Sequence, residues 1–264
     1  MATAYIRRKI NEAQTFGSGP EIGDIDFAGA FDGVTQDALS DPDAKKVKLG
    51  PNSLVPARNL MQYDIIVGPD GKDYDFRYLR RRINLTKQVM SKNSSTAGIY
   101  AVLNMLTIVP TFCLETMAVD GVRLFINPAF ANSLNDTKFV GILAHEAFHI
   151  IYQHISRGES YGMDDDLSNM AGDYEINYAL EHLNKDFKGV FSQPGPGGVR
   201  FLYDEKYADM AYEDIYDDLM KNPPDIPPTA APRIPPNITQ DFIDGYKDAW
   251  NKAVAEAKAS GILK

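Results

Sequence analysis

The sequence has one cysteine, Cys113, in 264 residues, together with one tryptophan and four histidines. A single cysteine excludes an intramolecular disulfide, so the fold must rest on an ordinary apolar core, and nothing points to an oxidising compartment. Long apolar runs are missing too. The most apolar stretch, Ile99–Val109, is interrupted by Asn104 and is too short to span a bilayer. The opening MATAYIRRKINEAQ carries charges but no apolar h-region, which argues against a secretory leader. Basic charge is also in short supply, since 27 Lys and Arg against 36 Asp and Glu leave a formal charge of −9. Such a field repels phosphates and argues against nucleic acid or an anionic membrane as partner. The expectation is a cytoplasmic globular protein, with 44% apolar residues to build a core.

Residues 1–61 are rich in Gly, Pro, Asp and Ser and show no sustained period, which reads as an extended N-terminal arm or loosely packed lobe. A main domain over 62–220 follows, then a Pro-rich linker over 221–240 (NPPDIPPTAAPRIPPN) and an amphipathic C-terminal helix within 241–264. Within the main domain, RYLRRRINLTKQVM and TAGIYAVLNMLTIVP read as two helices, the second ended by Pro110. Arg80, Arg81 and Arg82 read as a solvated face of the first. CLETMAV-DG-VRLFINP carries the Asp-Gly signal of a hairpin. Asn135 or Asp136 can cap a helix running to about Ser156, and a further helix fits SNMAGDYEINYALEHL, capped by the acidic run Asp164–Asp166. MAYEDIYDDLM is a last short helix before the linker.

The chemistry sits in VGILAHEAFHIIYQH, residues 140–154. On a helix each residue advances about 100°, so His145 and His149 leave one face one turn apart and can grip one ion. Catalytic zinc takes three protein ligands and keeps one position for water. Glu146, beside that pair, is placed to take a proton from zinc-bound water as it attacks a carbonyl and to pass it to the leaving amine. A buried helix with incidental histidines leaves the glutamate unexplained. Glu146 stands between Ala144 and Ala147 among apolar neighbours, where an ionised carboxylate is costly without a partner.

The third ligand has three candidates. His154 lies nine residues from His145, about 900° round and half a turn out of phase, so on a continuous helix it points away and would serve the helix C-terminus instead. Asp173 and Asn177 share a face of the second helix, so Asp173 can complete the site while Asn177 steadies a ligand histidine. Glu175 lies about 200° round from Asp173, so the two cannot both face the ion, and Glu175 is the alternative to Asp173 on this helix. Asp173 is the better candidate, and Ala171 and Gly172 beside it let two helices come close. A peptidase must also hold an extended chain by main-chain hydrogen bonds, and Val122–Ile126 can be that edge strand or simply a core strand.

The succession MAVDGVRLFINPAF, LAHEAFHIIYQH, NMAGDYEIN and MAYEDIYDDL, over roughly Leu79–Met220, resembles the zinc metallopeptidase domain of bacterial and phage proteins that often precedes a von Willebrand A-like domain. The resemblance implies an α+β, zincin-like fold of the minimal gluzincin type, with helices packed on a small sheet and an edge strand beside the motif helix. It implies His145, His149 and Asp173 as zinc ligands, Glu146 as base, and Asn177 at the family's asparagine. Two features depart from it: Leu167 or Ser168 stands where the family has tryptophan, and no von Willebrand A-like domain follows the linker. The expected function is a zinc peptidase, an endopeptidase acting on polypeptide and fitting a phage-encoded protein of the host cytoplasm. The alternative is a zinc-stabilised binding or assembly protein without hydrolysis.

Overall fold

The computed structural model describes residues 27–92, 96–186 and 202–223. The Pro-rich linker and the C-terminal helix expected from the sequence lie outside these residues. The fold is mixed α and β, with two three-stranded sheets and helices packed around them. Among the described residues no helix is long and apolar enough to cross a membrane.

The first sheet runs β1 (Lys46–Lys48), β2 (Ile65–Val67), β3 (Asp73–Asp75), with β1 parallel and β3 antiparallel to β2. Helix α1 (Phe76–Ser91) starts directly after β3. Its N-cap is Asp75, fully buried, whose Oδ1 accepts from the Tyr78 amide at 2.7 Å and whose Oδ2 accepts from the Ala38 amide at 2.9 Å. One carboxylate thereby caps a helix and pins the preceding segment to it. Phe31, Leu49 and Leu60 enter the same apolar cluster as Phe76, Leu79 and Phe139. Residues 27–61 are therefore not an arm. Their apolar side chains are too widely spaced to show a period, and only the tertiary fold collects them.

A chain starting at residue 62 would lose those three side chains, together about 5–9 kcal/mol of apolar burial. The whole net stability of a domain is on the order of 5–15 kcal/mol. The fragment 62–264 is expected to be unfolded, or to melt far below the full chain, in a circular-dichroism melt; a cooperative transition at the full-chain temperature would refute this.

Helix α2 (Ala97–Met105) is shorter than expected, because the chain turns extended at Leu106 and Thr107–Pro110 form β4. A short apolar run with β-branched residues does not distinguish helix from strand until a partner is found. The partner is β6 (Arg123–Ile126), parallel to β4 and antiparallel to β5 (Met117–Val119). The β5–β6 connection is the Asp-Gly turn, with Gly121 at φ +92 and Asp120 Oδ1 accepting from the amides of Val122 and Arg123. Since β6 is the middle strand of order β4-β6-β5, both its edges are taken. The edge-strand reading of Val122–Ile126 is corrected accordingly.

After α3 (Pro128–Ser133), Asn135 caps α4 (Asp136–Ile151) by accepting from the Lys138 amide. Arg82 is buried rather than solvated. It donates to the carbonyls of Ala131 and Leu134 at 2.8 and 3.0 Å, pairs with Asp136, and lies over the Phe139 ring, so α1 braces the start of α4. The chain continues through α5 (His154–Tyr161), α6 (Asp165–Asp186) and α7 (Tyr212–Lys221). Asp164 Oδ1 accepts from the amides of Asp166 and Leu167, the capping expected of that acidic run. Ile176 and Leu180 of α6 join the main core, while Met170 and Ala171 join a second cluster with Tyr212, Ile215 and Leu219 of α7.

Candidate metal centre

The motif helix α4 and the facing helix α6 pack against each other and bring His145, His149 and Asp173 together. His145 Nε2 lies 3.1 Å from Asp173 Oδ1 and 3.1 Å from His149 Nε2, and His149 Nε2 lies 3.4 Å from Asp173 Oδ1. Tetrahedral bonds of roughly 2.0–2.1 Å place ligand atoms about 3.3 Å apart. The three atoms thus have the spacing of one face of a small tetrahedral site. The three side chains are 19%, 13% and 19% exposed, so the cluster meets solvent.

The hydrogen bonds around the cluster aim it. Asn177 Nδ2 donates to the Leu202 carbonyl at 2.9 Å, which turns Oδ1 toward His145 Nδ1 at 3.1 Å. An amide oxygen can only accept, so His145 Nδ1 carries a proton and Nε2 is the nitrogen that faces the cluster. Without a metal, the arrangement needs protons between its donor atoms. Burial alone would lower the His145 imidazole, but the Asp173 carboxylate outweighs it and raises it. Burial alone would raise Asp173, but hydrogen bonds from His145 and His149 hold it below the usual carboxylate range. A dication at the same point would satisfy all three atoms with no proton. The donor set therefore fits a metal of the zinc type, two imidazoles and one carboxylate.

Glu146 is 7% exposed, and among the described residues its carboxylate accepts no hydrogen bond. Burial raises its carboxyl above the usual range, opposed by His149 and His145. Among the described residues it is therefore a buried acid without a hydrogen-bond donor, one residue from the cluster.

The structure departs from the sequence reading at the end of the motif helix. Helix α4 stops at Ile151, and Gln153 takes a left-handed conformation, φ 58, before α5 begins at His154. A non-glycine residue there costs about 1–2 kcal/mol, so the surrounding fold must impose it. The break turns His154 inward, 4% exposed, with Nδ1 3.0 Å from His149 Nδ1 and Nε2 2.6 Å from Glu175 Oε2. His154 does not serve the α4 carbonyls. Arg157 does that, donating to the Tyr152 carbonyl at 3.0 Å. Glu175 stays out of the cluster, as its angle on α6 requires, but it is not idle. It faces His154 and lies 3.5 Å from Arg157, which Glu213 of α7 grips with both carboxylate oxygens at 2.8 and 2.6 Å. Sequence reasoning missed this side of the site. The signals were present as Gly172, where a Cβ would lie 2.8 Å from His154 Nδ1, and as a glutamate two residues past the aspartate.

Comparison with curated proteins and with solved structures gives no significant match. A family profile does match, over residues 79–259, more than half of the chain and beyond the segment 79–220 that carries the motifs. The histidine pair, the aspartate on the facing helix and the glutamate between them lie inside that match, and the chain belongs to the family described as "Putative metallopeptidase domain".

Proposed function

We propose that this protein is a zinc-dependent peptidase, an endopeptidase of zincin-like fold. His145, His149 and Asp173 would hold the ion, and Glu146 would be the general base. The observation that carries the reading is Glu146, a buried carboxyl beside the donor cluster with no hydrogen bond among the described residues. A zinc-stabilised binding protein would need the donor cluster but would have no use for that acid.

Zinc in such a site supplies Lewis acidity, polarising a carbonyl and making water acidic near neutral pH. Glu146 takes one proton from the attacking water as its oxygen bonds to the peptide carbon. It returns that proton to the amide nitrogen as the C–N bond breaks, leaving a carboxylic acid and an amine. Asn177 keeps the His145 ring directed throughout. The strand that packs against the motif helix is β5, an edge strand of its sheet whose three residues are buried. Ala118 pairs with Phe125 in the same alternation as the bonded neighbours Thr116 with Asn127 and Asp120 with Arg123, so the amides and carbonyls of Met117 and Val119 point to the other edge. The reading is tested by zinc content and hydrolysis of unfolded polypeptide, with a Glu146 variant as matched control. Zinc without any hydrolysis would leave the binding protein as the better account.

A further inference from the structure

His154 has no part in the chemistry above, yet it is built in with care. Its ring stacks on Tyr212 at 4.6 Å and an interplanar angle of 27°, and it occupies the notch left by Gly172, where any side chain would collide with it. Both ring nitrogens are engaged, Nδ1 with His149 Nδ1 and Nε2 with Glu175 Oε2, so neither is left for the ion. Behind Glu175 stand Arg157 and Glu213.

Two ring nitrogens 3.0 Å apart share one proton. When His149 Nε2 faces the metal, that proton belongs to His149 Nδ1 and His154 Nδ1 accepts it. His154 then carries its own proton on Nε2 and donates to Glu175, held in place by Arg157. We propose that His154 is a positioning residue for the metal centre, accepting the Nδ1 proton of His149 and holding that imidazole with its Nε2 lone pair toward the ion. The inference rests on the reading of His145, His149 and Asp173 as the metal site. It gives the two histidines matching supports: Asn177, directed by the Leu202 carbonyl, for His145, and His154, directed by Glu175, for His149. The left-handed Gln153 is what makes the second support possible, because on a continuous helix His154 would face away.

The test uses Co2+ on the full chain, with affinity read by chelator competition and ligand geometry by the visible d–d spectrum. His154→Phe keeps a ring to stack on Tyr212 and fill the Gly172 notch but cannot accept a proton. His154→Asn places an acceptor oxygen close to where Nδ1 stands. His154→Phe is expected to weaken Co2+ about 10–100-fold and to alter the spectrum while the metal-free melting temperature holds. His154→Asn is expected to recover most of the affinity and the wild-type spectrum. Wild-type affinity and spectrum in His154→Phe would overturn the inference, as would a loss that His154→Asn fails to recover, or one as complete as that of Asp173→Ala. Should His154→Phe fold poorly, long-range 1H–15N spectra of the zinc-loaded wild type decide. A proton on His154 Nε2 is expected, and a proton on His154 Nδ1 overturns the inference. If the wild type binds no Co2+, or Asp173→Ala binds it as tightly, the metal site itself falls. A wild type that binds through Asp173 beside an unaffected His154→Phe sinks the positioning role alone.

Discussion

Glu146→Gln is expected to lower hydrolysis of an unfolded polypeptide by about 10²–10⁴-fold, the usual contribution of one general acid-base group, while zinc stays bound at about one per chain. The amide has the size of the carboxylate and fits the same 7%-exposed position, so packing is preserved. What it lacks is a site for a proton. Glu146 is outside the three-atom cluster, so its loss removes no ligand. The amide removes one negative charge near the dication, which weakens zinc modestly, but it takes away no atom that holds the ion. The measurement is a paired determination of zinc by mass spectrometry and of cleavage with a fluorescent denatured substrate. Equal cleavage by wild type and variant would remove Glu146 from the chemistry, and loss of zinc from the variant would place it among the ligands instead.

Asp173→Ala is expected to produce the largest loss of zinc affinity of any change at the centre, more than the roughly 10–100-fold typical of removing a hydrogen-bonding support. It takes away the only carboxylate in the cluster, leaving two imidazoles on one helix and no ligand from α6. It also deletes the negative charge that offsets the dication. Asn177→Ala removes no ligand and frees only the orientation of His145, so it should fall within that roughly 10–100-fold range. Chelator competition on both variants, after a melt to show that each is folded, gives the order. Asn177→Ala losing more zinc than Asp173→Ala would invert the assignment of ligand and support.

Helix α4 was legible because its information is local. An Asn cap, an apolar stripe and two histidines at i, i+4 are all written within sixteen residues, and the i, i+4 geometry of a helix needs no partner. That Asp173 and Asn177 share a face, and that Glu175 lies on another, followed from the same arithmetic on α6. The same arithmetic failed at His154, because it assumed that the helix continues. Nothing in IIYQH announces a left-handed glutamine, which is imposed by what His154 finds when it turns inward: His149, Glu175, the Tyr212 ring and the gap at Gly172. Those partners come from α4, α6 and α7, and no window of sequence contains them.

Strands divided in the same way. The Asp-Gly turn marked the β5–β6 hairpin from sequence, since a turn is a property of consecutive residues. Which of its strands lies at the sheet edge depended on β4, whose residues Thr107–Pro110 read as the end of a helix until their parallel pairing with β6 is seen. The place of residues 27–61 was likewise settled by distant contacts, through Asp75 reaching the Ala38 amide and Leu49 and Leu60 entering the core. By itself the sequence determined the pair of histidines, the acid between them and the helix that carries all three, because hydrogen bonds and side-chain directions within one helix are set by neighbours in the chain. Only the tertiary structure decided what stands behind His149 and which strand lies at the sheet edge beside the motif helix, because those depend on which distant groups can satisfy a buried imidazole or pair with a strand.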